Sequence, residues 1–309
     1  MAARSSKDNV VIGAILLYHR IASDTIDPFG LCVDPSEFAA QMKHLRNHYQ
    51  PVPLDTFRRE PDDDVFPDRA VAVTFDDGYV DNLTVASPTL LEYGIPATFF
   101  VTTEGLDDGR ELWWDTICRL ILCEPTVPSV IDLNVAGTRR QVSTSDDRCL
   151  ALRAIHDAIR DLPFDERLKA LAHVQEQLAQ SETEPTCRPL RTTEILRLAS
   201  LPGHAIGVHT THHLMLPAQP RTVQRSEIRD CQNVLESLLR RKIEDLAYPF
   251  GGASEETVQT ARDLGFTIGV GVDPAPIKRG ADRMRLPRID VRASTNRFRD
   301  LMANMFSPS

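Results

Sequence analysis

The sequence predicts an α/β fold built on a parallel sheet. Short apolar runs recur along the chain, most are continuously apolar rather than alternating, and amphipathic segments separate them. The runs lie at residues 10–19, 70–75, 97–102, 205–209, 246–249, 266–272 and 286–291. Continuous apolarity suits strands covered on both faces. At 309 residues with 42% hydrophobic content, the chain suits one barrel-sized domain with an insertion better than two full domains.

Helical signals fill the gaps. In residues 35–49, Phe38, Met42, Leu45 and Tyr49 share one face, and Asp34 is placed to cap the N-terminus. A helix over 82–93 should close at Gly94. Helices over 192–200 and 222–240 follow. A helix over 254–264 opens on Ser254, carries Glu255 and Glu256 in its first turn and stops at Gly265. This alternation implies a parallel sheet, open or closed into a barrel. One region breaks it. Residues 104–189 hold no parallel strand signal but contain Trp113-Trp114, a hairpin candidate over 127–142 and a helical stretch over 151–181. They read as a mostly helical insertion after the third strand of a single domain.

Bulk properties exclude some functions. A net charge of −9 without a Lys/Arg-rich run argues against nucleic acid as a partner. Six cysteines at 32, 118, 123, 149, 187 and 231 form no Cys-x-x-Cys pair. They are expected to be reduced, small buried hydrophobes. The apolar run at 10–17 passes into Tyr18-His19-Arg20 without a small-residue cleavage site, so it reads as a first strand rather than an export leader. No stretch reaches bilayer length, and the expected location is the cytoplasm. Oligomeric state leaves no signal.

Two motifs carry chemistry. Thr74-Phe75-Asp76-Asp77-Gly78 ends one apolar run, and His209-Thr210-Thr211-His212-His213 follows another. Singly, each has an ordinary reading: Asp and Gly form turns, and a His-x-x-x-His pair is often only partly exposed. Together, Asp77, His209 and His213 can supply three ligands to a divalent ion and leave one position for water. Asp76 can then serve as the base that activates that water. His212 is expected to point elsewhere, exposed. His19, Asp76-Asp77, His209 and Tyr248-Pro249-Phe250-Gly251 all fall at the C-terminal ends of predicted strands, the edge where α/β active sites assemble.

Thr74–Gly78, His209–His213 and Ala247-Tyr248-Pro249-Phe250-Gly251 resemble the first three motifs of the polysaccharide deacetylases, the NodB-like group or carbohydrate esterase family four. The likeness covers roughly residues 11–102 and 190–292. It implies a distorted (β/α)7 barrel and one divalent ion, usually zinc, held by Asp77, His209 and His213. It also implies Asp76 as general base, a backbone N–H near Phe250 for the oxyanion, and hydrolysis of an N-acetyl, less often O-acetyl, group on a sugar. Tyr248 joins Phe250 as a substrate-side candidate.

The chain departs from the family pattern twice. Ala247 stands where an arginine usually orients the base, and no histidine follows His213 to act as the usual acid. Leu17-Tyr18-His19-Arg20-Ile21 resembles the first-strand Tyr-His motif of the branch that includes bacterial poly-N-acetylglucosamine deacetylases. That resemblance makes His19 the acid candidate; its ordinary alternative is a core histidine bonded to backbone. Arg288 either replaces the absent arginine or forms a surface salt bridge. Trp113-Trp114 either make a sugar-stacking wall or bury the insertion's own core. Asp81 and Asn82 are expected to cap or start a helix rather than touch substrate. The leading expectation is a metal-dependent N-deacetylase of an amino sugar or glycan, in glycan or glycoconjugate biosynthesis. An amidohydrolase acting on a non-carbohydrate C–N bond is one alternative. A glycan-binding homologue without turnover is another.

Overall fold

The computed structural model describes residues 10–24, 26–59, 66–124, 127–132, 139–178, 187–292 and 295–306. Seven parallel strands form its frame: β1 (Val11–Tyr18), β2 (Ala70–Phe75), β3 (Ala97–Val101), β4 (His204–Val208), β5 (Asp245–Ala247), β6 (Ile268–Val270) and β7 (Ile289–Asp290). They pair side by side in the order β6-β5-β4-β3-β2-β1-β7. The ring closes through Leu286, which bridges to Val270 in parallel. The Leu286 N–H donates to the Gly269 carbonyl at 2.9 Å and the Gly271 N–H to the Leu286 carbonyl at 2.9 Å. The barrel is distorted at its opposite rim, where Ile277–Lys278 runs antiparallel along the start of β1.

Strand parity sorts the side chains. Ala14, Leu16 and Tyr18 of β1 and Val71, Val73 and Phe75 of β2 face the helical layer, with Phe99 and Val208. Ile15, Ala70, Ala72, Phe100, Ala247, Ile268 and Val270 fill the barrel interior. Both faces are therefore buried, which is why the runs are continuously apolar. Gly207 is an inward position with no side chain, and a Cβ there would lie 2.4 Å from the Phe100 ring that fills the space.

The helical layer is α1 (Pro35–His48), α2 (Ser87–Tyr93) and, beyond the insertion, helices at Thr192–Ala199, Arg221–Leu239, Glu255–Asp263 and Thr295–Met305. Asp34 caps α1 by accepting from the Ser36 N–H. The helix expected over 82–93 divides: Asn82–Ala86 is a π-helical turn, and α2 begins at Ser87 with Pro88 in its first turn. Pro88 has no N–H for the preceding turn, so the wider winding is the local solution.

The insertion has its own core, including Trp113, Trp114, Ile131, Leu152, Ile155 and Val174. It comprises α3 (Trp113–Cys118), an antiparallel ladder of Val130–Asp132 with Arg139–Gln141, α4 (Ser145–Arg160) and α5 (Phe164–Gln177). The ladder matches the expected hairpin, whose tip at 133–138 lies outside the described residues. The single helical stretch expected over 151–181 is two helices that meet at Pro163, and its last residues, 179–181, also fall outside the described residues. Thr144 and Asp147 form a reciprocal capping box that starts α4 six residues earlier than the apolar pattern suggests.

Candidate active site

Parity brings the polar motifs to one mouth of the barrel. Continuing β2 inward through Ala72 and Thr74 points Asp76 into the opening. Asp77 would then face outward, but its φ of 70° and the φ of 74° at Gly78 turn the chain, so both carboxylates serve the same site. A left-handed non-glycine residue costs about 1–2 kcal/mol, a strain that clusters at functional sites. His209 continues the inward face of β4. Thr210 at φ 64° and His213 at φ 51° curl the loop so that the second imidazole returns to the first.

Asp77 Oδ1 lies 3.4 Å from His209 Nε2 and 3.3 Å from His213 Nε2. All three ligand atoms fall within 4.8 Å of one another, and all three residues are buried. Tetrahedral bonds of about 2.0–2.2 Å hold neighbouring ligand atoms about 3.3–3.6 Å apart, so this oxygen–nitrogen–nitrogen set fits one divalent ion. The His209 Nδ1–H donates to the Ala247 carbonyl at 2.9 Å, which leaves the Nε2 lone pair for a ligand. Burial pushes His213 down to about 4, against the pull of the Asp77 carboxylate. Burial opposes ionisation of Asp77 too, yet the imidazoles of His209 and His213 beside it hold it well below the usual carboxylate range.

Arg288 is fully buried and grips Asp76 with both arms, Nη1 to Oδ1 at 2.7 Å and Nη2 to Oδ2 at 2.6 Å. Its Nε donates to the Gly271 carbonyl at 2.7 Å, and Nη1 also reaches Thr74 Oγ1 at 3.2 Å. Of the two expectations for Arg288, the surface salt bridge is excluded. The arginine that contacts Asp76 comes from the segment just before β7, not from the position of Ala247. Burial would raise the Asp76 pKa, but Arg288 and His209 outweigh it and keep the group ionised.

His19 is half-buried at the inward end of β1. Its carbonyl accepts from Asn82 Nδ2 at 2.8 Å. Asn82 starts the π-helical turn and Asp81 stands at its N-cap position without a side-chain capping bond; the Asp81 carboxylate instead accepts from the Ile21 N–H at 3.2 Å and from Arg20 Nε at 3.2 Å. Besides starting the helical turn as expected, these two residues tie the exit of β1 to the Asp-Asp-Gly turn.

Other expectations change as well. His212 is half-buried, with Nδ1 donating to Glu227 Oε1 at 2.6 Å and its N–H to Oε2 at 2.8 Å. Tyr248 sits on the outward face of its strand, fully buried, and its hydroxyl donates to the Met284 carbonyl at 3.0 Å. Its side chain is part of the outer core and not of the mouth. Trp113 and Trp114 are 9% and 4% exposed, inside the insertion's core and not an open wall. Trp114 nonetheless touches the site, with its ring 4.7 Å from His213 and its Nε1 donating to the Tyr79 hydroxyl at 2.8 Å. Phe250, at φ 56°, sets its ring edge-on to His213 at 4.6 Å. The six cysteines are free, but only Cys187 and Cys231 are buried.

The polysaccharide deacetylase family model matches residues 63–120 and 139–269, more than half of the chain. The chain belongs to the polysaccharide deacetylase family. Among its relatives, YxkH of Bacillus subtilis (strain 168), named as a polysaccharide deacetylase, is 24% identical over 279 residues, covering 90% of this chain and 70% of that protein. The Streptococcus pyogenes deacetylase PplD, solved in complex with acetate, is similar in fold at a TM-score of 0.64 and 19% identity, covering 97% of this chain and 100% of that chain. IcaB from Ammonifex degensii is similar at a TM-score of 0.63 and 16% identity, covering 97% and 99%. These structural likenesses support the distorted barrel expected for a deacetylase of this family.

Proposed function

We propose that this polysaccharide deacetylase is metal-dependent and removes an N-acetyl group from an amino sugar or glycan, in glycan or glycoconjugate biosynthesis. The observation that carries the reading is the separation of 3.4 and 3.3 Å between Asp77 Oδ1 and the two Nε2 atoms, beside an Asp76 clamped in its ionised form. A divalent ion, zinc by preference, would be held by Asp77, His209 and His213 and would supply Lewis acidity and a water acidified toward neutrality.

The remaining chemistry belongs to the chain's own groups. Asp76 takes the proton of the attacking water, and Arg288 keeps its carboxylate charged and aimed. The backbone N–H at Phe250 is the donor assigned to the developing oxyanion, the role the family's third motif implies. His19 donates a proton to the departing sugar nitrogen, because an amine anion is too basic to leave unaided. Phe250 and the rings behind it restrict water around His213.

The relative solved with acetate holds the product this reaction releases. No helix among the described residues is long and apolar enough to cross a membrane. Six free thiols suit a reducing compartment, so the cytoplasm is the location proposed.

Metal analysis of the purified chain, followed by acetate release from N-acetylglucosamine oligomers, tests the reading. One equivalent of zinc with acetate release that a chelator abolishes is the expected result. Zinc without acetate release would redirect the chain to another C–N substrate, and no bound metal with no turnover would leave a glycan-binding role.

A further inference from the structure

The loop that carries both histidine ligands is held from two sides. The barrel holds its first half: Thr102 Oγ1 donates to the Thr210 carbonyl at 3.1 Å and to the Thr211 carbonyl at 2.9 Å, and the Glu104 N–H donates to the Thr211 carbonyl at 2.8 Å. The insertion holds the second half. Arg167, on α5, donates through Nη2 to the His212 carbonyl and through Nη1 to the His213 carbonyl at 3.3 Å.

This guanidinium is unusual in its setting. It is 1% exposed. It lies over the Trp113 ring at 5.5 Å and the Phe164 ring at 5.7 Å, and its nearest carboxylate contact, Glu104, is 3.8 Å away. A buried arginine without a close carboxylate partner is costly unless its donors are used. Here they are used on the main chain of the second histidine ligand. That residue sits in the left-handed region, where an L side chain is strained and the backbone relaxes readily once unpinned.

We propose that Arg167 is a positioning residue for the metal site, and that the insertion's contribution to the reaction is to pre-set the His213 backbone so that its Nε2 meets Asp77. The inference rests on the metal-dependent reading above. It gives the insertion a role that none of its residues plays as a ligand. Losing both donors takes a partner from the buried His213 carbonyl and the part-buried His212 carbonyl and lets the strained turn relax, which moves the imidazole away from the carboxylate. Outer partners that fix ligands are typically worth 10–100-fold in metal affinity.

The test is Zn2+ affinity, measured by competition with a chromophoric chelator on the full chain, with thermal unfolding of the metal-free protein alongside. Arg167→Met should weaken Zn2+ binding about 10–100-fold, and Arg167→Lys should recover part of it. Leu152→Ala, a fully buried change elsewhere in the insertion's core, should lower stability and leave affinity unchanged. Wild-type affinity in Arg167→Met, or an equal loss in Leu152→Ala, overturns the proposal by making Arg167 ordinary core. If Arg167→Met does not fold, the lysine variant decides: severalfold weaker binding supports the role and unchanged binding rejects it. A parent chain that takes up no Zn2+ sinks the metal reading itself, and this inference with it.

Discussion

The barrel and the insertion solve different problems with different materials. The barrel's strands are short, buried on both faces and paired through backbone, and their ends deliver His19, Asp76, Asp77 and His209 to one mouth. Among the described residues, the insertion delivers no candidate ligand. It brings Trp114 against His213, Arg167 to the His212 and His213 carbonyls, and a buried Trp114–Tyr79–Asp115 hydrogen-bond chain beneath them. Reacting groups can sit on strand ends because parity and register fix their direction to within one side chain. Walls and braces come from side chains on helices, where shape matters more than register. Changes in the barrel should therefore remove chemistry and spare stability, and changes in the insertion away from Arg167 should do the reverse.

Asp76→Asn offers the sharpest break. It removes the base yet preserves the shape of the Arg288 clamp, so kcat should fall about 10²–10⁴-fold with zinc content intact. Undiminished acetate release would remove Asp76 from the mechanism. His19→Ala comes next. It should lower kcat on N-acetyl substrates by about 10²-fold and affect O-acetyl esters much less, because an alkoxide leaves more easily than an amide anion. Equal losses on both classes, or none, would return His19 to a structural role.

The remaining effect lies in the insertion and appears as pH dependence of stability. Burial lifts the Asp115 carboxyl from 3.8 to about 7, against the Tyr79 hydroxyl that donates to it at 2.8 Å. Between those values the folded chain keeps a proton that the unfolded chain has released. Stability therefore falls as pH rises from about 4 to about 7, by at most about 1.4 kcal/mol per unit. Asp115→Asn keeps the acceptor and removes the titration, so its urea midpoint should decline less than the parent's over that window. Parallel declines would show that Asp115 is not the group responsible, and a loss of kcat would blur the division between the two regions.

Much of the barrel is legible in the chain's own pattern of apolar runs. Six of the seven runs overlap the observed strands closely, and β7 is a shorter pairing within the expected 286–291. Strand boundaries slip by one to three residues where runs continue into loops, as at 245–249, because apolarity does not stop where pairing does. Asp77, His209 and His213 are readable as a ligand set because their spacing and strand-end placement are local properties. Tyr248 misleads such a reading because it packs into the outer core, while Phe250, of the same parity, reaches His213 only through the turn at φ 56°. His212 misleads it because its partner, Glu227, comes from the helix beyond its loop, at Arg221–Leu239.

What the sequence determined alone was the alternation of apolar runs and helices, the family motifs and the identity of the ligand and base candidates. Tertiary structure alone decided that Arg288 reaches Asp76 across 212 positions, that Arg167 meets the His213 loop across 46, and that Asn82 holds the His19 carbonyl across 63. The reason is physical. A strand or turn is written by neighbours within a few residues, and its pattern can be counted. A buried guanidinium finds its acceptors only when the sheet has closed, so the same arginine reads in sequence as a surface charge until the barrel and the insertion have shut water away from it.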